Sequence, residues 1–533
     1  MSIIRRNFTR IGARQVHYRS AGKGPALLLI HQSPQNSRMW LELMARLADR
    51  YSVIAPDTPG FGHSDPLPGE PQTIAEFGAA TLEFADAIGV ERFALAGMHT
   101  GGLIATWLAW AHPERVAALI VDGYAAFTPA ESALYGEQYL PPFIPQWDGS
   151  HLRWLWARMR EQKYFFPWYD GRAEAAMLIP PHTTQGTHEA VMDVLDVGDQ
   201  YRVGYGAAFR HNDHHWLSQL QVPAWLVFRH GDPLLAHRPR LVDLPAGVHS
   251  LEEPGGLPAL HANMERWLGE TLAQEAGFQP RQAGATGAGW ERRILAIGAG
   301  ENACWQHPGE GRLRLLLHAP GSAPLRPQAI AVGSDAWLVP DLPGHGASSE
   351  IETVPDHDTV VEALLGVIAA AGLSQPIVLE AHGAAAGYVP ALTAALPGRI
   401  QEIVLHQPWL LDADEHAHLL QNLPRTVPDR AGGHLGDVWQ WERERHLLWP
   451  WLPASAQARR RVAAPDPTRV HANVVELLRL GGRLDALLRE VTGPELAGRL
   501  RALPVPLRIV ADQQSDYLGR AAALANPMNE GTP

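Results

Sequence analysis

Three side chains in this sequence combine type and setting in a way that allows acid–base or nucleophilic chemistry. His99 stands in Gly97-Met98-His99-Thr100-Gly101, between the apolar run Phe93–Ala96 and an apolar stretch beginning at Leu103. A strand that turns sharply into a helix needs small residues on either side of its apex, because the backbone passes too close to its neighbours for side chains. Gly97 and Gly101 meet that need around His99, whereas a frame centred on Thr100 would put Met98 where a small residue is required. Asp232 follows the apolar run 223–228 in Gly231-Asp232-Pro233, and His249 stands in Leu244-Pro245-Ala246-Gly247-Val248-His249. Imidazole exchanges protons near neutral pH and is a competent nucleophile, and a carboxylate can orient it and favour its cation. Metal chemistry is not expected. In His211-Asn212-Asp213-His214-His215 the adjacent His214 and His215 cannot both face one ion on a regular element, and His416 and His418 beside Asp412 and Asp414 form a weaker set. The single cysteine, Cys304, allows neither an intrachain disulfide nor a cysteine metal site. No glycine-rich loop of the dinucleotide or P-loop type is present, so no cofactor is expected.

The elements that would position these groups are short. Ala26–Ile30 is a continuous apolar run ending in His31-Gln32-Ser33-Pro34, as suits a parallel strand buried on both faces. Residues 53–55, 93–96, 116–121 and 223–228 read as further strands, and residues 73–88 have helical spacing. Strands alternating with helices imply an α/β layer structure with a mostly parallel sheet and helices on both faces. In such sheets ligands sit at the C-terminal strand ends, which is where the polar landmarks fall.

The sequence resembles the α/β-hydrolase superfamily, in the branch of esterases, C–C hydrolases, epoxide hydrolases and haloalkane dehalogenases. The matching residues are the His31-x-x-Pro34 turn, Asp57-x-Pro59-Gly60-x-Gly62-x-Ser64, the small-x-x-x-small elbow Gly97 to Gly101, and a terminal acid and histidine. The resemblance implies that His99 occupies the position usually held by a serine nucleophile, with Asp232 as the acid and His249 as the histidine of a His99–Asp232–His249 constellation. It also implies an oxyanion hole from the backbone N–H groups of Ser33 and Thr100. Asp232 would favour the cation on His249 and leave His99 neutral as base.

The chain also repeats itself. Pro56–Gly62 recurs as Pro340–Gly346, Pro113–Val116 as Pro397–Ile400, Gly149–Leu152 as Gly432–Leu435, Pro167-Trp168 as Pro450-Trp451 and Val222-Pro223 as Val505-Pro506. A register held over so many landmarks reads as duplication of a roughly 280-residue domain. The expected layout is a first α/β-hydrolase domain over 1–270 with a cap at about 125–218, a Gly/Ala/Gln-rich linker over 271–290, and a degenerate second domain over 291–533 with a cap at about 408–500. In the second copy the elbow reads Ala381-His382-Gly383-Ala384-Ala385, the acid position falls on Ser515, with Asp512 and Asp516 nearby, and the segment equivalent to His249 and its helix is missing. That copy is expected to pack against or cover the first.

The first cap is rich in aromatic residues, and His31, Gln32, Trp154, Arg160, Phe166 and Trp168 are candidates to line a largely apolar pocket. Three functions follow: a hydrolase acting on an ester, lactone or C–C bond; a lyase or decarboxylase using His99 and His249 as an acid–base pair; or a pseudoenzyme that binds an apolar ligand or a protein. The chain of 533 residues has a formal charge of −12, which argues against nucleic acid or an anionic membrane as partner. With no secretion signal in MSIIRRNFTR and no apolar run long enough to span a bilayer, a cytoplasmic protein with a small-molecule substrate is expected.

Overall fold

The runs read as central strands are buried on both faces. In the computed structural model Leu27, Leu28, Leu29 and Ile30 are fully inaccessible, and burying side chains of this kind contributes about 1.5–3 kcal/mol each. The structure describes residues 3–69, 72–177, 179–280, 289–298, 300–327, 330–349, 356–448, 456, 458–510 and 524. The chain forms two compact units, one of residues 1–144 and 154–284 and one of residues 145–153 and 285–533.

The sheet of the first unit contains β1 (Arg5–Ile11), β2 (Arg14–Ala21), β3 (Ala26–Ile30), β4 (Ser52–Pro56), β5 (Phe93–Met98), β6 (Val116–Asp122), β7 (Ala224–Arg229) and β8 (Val248–Glu253). Their order is β1-β2-β4-β3-β5-β6-β7-β8. The β1–β2 and β2–β4 pairs are antiparallel, and the remaining pairs are parallel. Helices supply the crossovers. The helix Ile74–Ile88 starts on a capping box between Thr73 and Glu76 and stops at Gly89, whose φ of 80° suits glycine. The helix Gly256–Thr271 closes one face, with Trp267 stacked on Trp225 of β7 at 5.1 Å. Between β6 and β7 the helices Pro129–Gln138, Thr184–Val197 and Tyr201–Arg210 and part of Ser150–Glu161 form the cap.

The second unit contains β9 (Glu291–Ile297), β10 (Gly300–His307), β11 (Leu313–Leu317), β12 (Ala336–Pro340), β13 (Ile377–His382), β14 (Ile400–His406) and β15 (Leu507–Val510). Their order, β9-β10-β12-β11-β13-β14-β15, repeats that of the first seven strands of the first unit. Local details repeat as well. A Cβ on Gly62 would meet the Asp57 carboxylate at 2.1 Å, and one on Gly346 would meet that of Asp341 at 2.3 Å. Thr58 N donates to His31 Nε2 at 2.9 Å, as Leu342 N does to His318 Nε2. The two sheets, mostly parallel with helices on both faces, are the α/β-hydrolase-like pair expected from the sequence. Ser515, Asp512 and Asp516 lie outside the described residues, as does most of the second half of the expected linker.

Candidate active site

The elbow at the end of β5 forms as its glycines require. His99 has φ 47° and ψ −110°, a conformation rare for a residue with a side chain. The helix Thr100–Ala111 begins directly after it. Its amide donates to Asp122 O at 3.0 Å, and its carbonyl accepts from Leu103 N at 3.0 Å, so the residue ends a strand ladder and starts a helix. A Cβ on Gly97 would come within 2.3 Å of Gly101 O, and one on Gly101 within 2.2 Å of Ile30 O. Backbone held in such a region costs about 1–3 kcal/mol and persists where the surroundings over-determine it.

The imidazole reaches across the strand ends to β7. His99 Nε2 lies 2.7 Å from Asp232 Oδ2. Asp232 Oδ1 accepts from Leu234 N at 2.9 Å, and Arg229 Nη2 stands 3.6 Å from Oδ2. Arg229 Nε donates in turn to both oxygens of Asp122, at 2.8 and 3.0 Å. Gly123 leaves room for the ring: a Cβ there would lie 2.6 Å from His99 Cδ2. Burial disfavours the His99 cation, but the charge and hydrogen bond of Asp232, with Asp122 beyond, outweigh it and raise the imidazole pKa above the ordinary histidine value. Burial pushes the Asp232 carboxyl upward, and His99, the Leu234 amide and Arg229 more than reverse this, holding it at about 2. In the neutral ring Nε2 carries the proton donated to Asp232, which leaves Nδ1 as the basic nitrogen. The side chain remains 26% exposed.

His249 is not part of this group, contrary to the sequence expectation. It lies in β8 opposite Trp225, with its side chain exposed and its ring 6.2 Å from that of Trp225. Trp225 is four residues before Arg229 on the parallel neighbour β7, so His249 stands roughly 13 Å below the strand ends that hold Asp232. The segment that carries His249 is the strand β8, and a turn at Pro254-Gly255 leads straight into the final helix. The cation favoured by Asp232 therefore belongs to His99, not to His249.

The other expected residues divide. Ser33 is buried in the turn after β3 and Thr100 opens the helix after the elbow. His31 cannot line a pocket: it is buried, its Nε2 accepts from Thr58 N, and its Nδ1 lies 3.0 Å from Gln32 O. Gln32 is tied to Gln35 at 2.7 Å. Phe166 and Trp168 pack against Tyr139, and Trp154 packs against Trp168, in the aromatic layer of the cap. Arg160 is half-buried near the end of the helix Ser150–Glu161. Sequence reasoning missed the Asp122–Arg229 pair and Lys163, a cap residue close enough to Asp232 and Arg229 to feel both charges, whose ammonium burial lowers below the ordinary lysine value.

Each histidine of the 211–215 cluster has its own partner. His211 stacks on Trp216 at 4.2 Å, His214 bonds Tyr124 and Phe127, and His215 pairs with Asp213. Among the described residues no group of three or more His, Cys, Asp or Glu is placed to hold a metal ion, and no helix is long and apolar enough to cross a membrane. In the second unit the elbow residue Gly383 keeps a φ of 53° but offers no side chain. Its neighbour His382 stacks on His406 at 4.3 Å, and His406 Nε2 lies 2.9 Å from Glu380 Oε2.

Comparison with known proteins agrees with this architecture. The sequence model of the alpha/beta hydrolase fold family matches residues 25–220. This chain carries the α/β-hydrolase fold. Over 124 residues it is 34% identical to an uncharacterised protein of Mycobacterium tuberculosis, covering 23% of this chain and 36% of that one. Haloalkane dehalogenase 2 of the same organism is 33% identical over 118 residues, covering 22% of this chain and 41% of that one. The chain thus spans about two fifths or less of the length of these curated relatives. Among solved structures, epoxide hydrolase A from Mycobacterium thermoresistibile is 20% identical and covers 50% of this chain and 98% of its own, with a TM-score of 0.41.

Proposed function

We propose that the first unit of this α/β-hydrolase-fold chain is a cofactor-independent cytoplasmic hydrolase of small esters, in which His99 and Asp232 act as a dyad and the second unit, arisen by duplication, takes no chemical part. The observation that carries this reading is the 2.7 Å His99–Asp232 hydrogen bond at an elbow that retains its strained geometry. Asp232 fixes the tautomer, and His99 Nδ1 takes a proton from water as the water oxygen attacks the carbonyl carbon. The resulting oxyanion faces the N–H groups of Ser33 and Thr100, and the Thr100 amide lies at the positive end of its helix. Collapse breaks the C–O bond, the imidazolium returns its proton to the leaving alkoxide, and acid and alcohol result. His249 has no role in this sequence of steps, and with it falls the lyase that would need two histidines as an acid–base pair.

The short turn from β8 into the last helix favours one second reading, in which the unit binds its ligand without turnover. Hydrolysis of p-nitrophenyl butyrate by the full chain separates the two. The hydrolase reading expects turnover that His99→Ala lowers by about 10²–10⁴-fold and His249→Ala leaves intact. Equal rates for wild type and His99→Ala would overturn it.

A further inference from the structure

The cap of the first unit holds a second group placed for ligand chemistry. Arg158 lies on the helix Ser150–Glu161 and is 1% exposed. Its guanidinium stands over three aromatic rings: Tyr139 at 5.6 Å, Trp168 at 5.5 Å and Tyr201 at 5.6 Å. Nη1 makes only long contacts, 3.4 Å to Gln162 Oε1 and 4.0 Å to Met159 Sδ. Nε and Nη2 are buried with no hydrogen-bond partner. These two nitrogens form the edge of a guanidinium that grips a carboxylate through two parallel hydrogen bonds. Nearby Asp199 does not fill this edge, since its carboxylate already accepts from Arg202 and from the Phe143 amide. Aromatic faces offset part of the cost of burying a cation but satisfy none of its N–H groups. Tyr205, half-buried beside Tyr139, feels the charges of both Arg158 and Asp232.

We propose that Arg158 is the anchor for a substrate carboxylate, so that the compound taken up is a small acid with an apolar body, held by its charge in the cap while its ester bond meets His99. This rests on the hydrolase reading for the ester, but the anion site itself does not require turnover. The sequence marked Arg160 as a pocket candidate; the unpaired edge belongs instead to the arginine two residues earlier.

The test is calorimetric titration of the full chain with phenylacetate and hexanoate, each against its neutral amide. Both carboxylates are expected to bind at least tenfold more tightly than the amides, in wild type and in His99→Ala alike. Arg158→Met is expected to abolish that preference. Equal binding of acid and amide, no binding of either carboxylate, or a preference that survives Arg158→Met would overturn the assignment. The comparison of acid with amide in wild type decides the matter even where the variant does not fold. Because it reads binding, it also fails independently of ester hydrolysis: a chain that hydrolyses through His99 and ignores phenylacetate would refute the anchor alone.

Discussion

Replacing Gly123 by alanine should dislodge His99 without touching the catalytic side chains themselves. The new Cβ would stand 2.6 Å from His99 Cδ2 and 2.8 Å from Nε2, against ordinary contact at 3.4–4 Å. The ring must then retreat by roughly 1 Å, which stretches the 2.7 Å bond to Asp232 beyond hydrogen-bonding range. Gly123 also has a φ of 72°, and a left-handed backbone costs a non-glycine residue about 1–2 kcal/mol. Losing a charge-assisted hydrogen bond adds about 1.5–3 kcal/mol. A total of about 2.5–5 kcal/mol should appear as a lower urea midpoint with an unchanged slope. A displacement of about 1 Å at the reacting group should lower ester turnover by roughly 10²-fold. The reasoning fails if Gly123→Ala keeps both the urea midpoint and the hydrolysis rate of the wild type.

His249→Ala, at an exposed strand position, should change stability by no more than about 0.5 kcal/mol and leave the rate of p-nitrophenyl butyrate hydrolysis unaltered; a large rate loss would return His249 to the site. Asp193 in the cap, which accepts from Asn36 and Arg38, has its carboxyl pushed up to about 7, burial outweighing Arg38. Its folded pKa exceeds the unfolded value, so its contribution is complete below about pH 4 and is lost as pH rises to about 7, a change on the order of 4 kcal/mol. Urea unfolding across that window should therefore show stability falling with pH, and Asp193→Asn should flatten the slope.

Much of the first sheet was legible because its signals are local. The run Ala26–Ile30 announces a strand buried on both faces, and Gly97 and Gly101 announce an elbow whose glycines meet backbone at 2.2–2.3 Å. The error at His249 had a physical source. Whether residues 241–253 make a strand followed by a histidine loop, or a turn followed by a strand, depends on the register that β8 takes against β7. That register, which sets Val248 opposite Ala224, is decided by packing between distant segments. The Asp122–Arg229 pair joins residues 107 apart and exists only because β6 and β7 are neighbours. Arg158 sits among apolar residues in Trp154-Leu155-Trp156-Ala157-Arg158-Met159, but its burial depends on Tyr139, Trp168 and Tyr201 converging from three other segments. A lone arginine in a helix is otherwise read as a solvated charge.

The pairing of His99 with Asp232 can be observed on the ring itself. In the ¹⁵N-labelled full chain, imidazole resonances followed with pH and assigned by their loss in His99→Ala report both tautomer and titration. A proton on Nε2 in the neutral ring is expected, with a midpoint above the ordinary histidine value that falls in Asp232→Asn. A neutral ring protonated on Nδ1, or a midpoint indifferent to Asp232→Asn, would show that no such dyad exists.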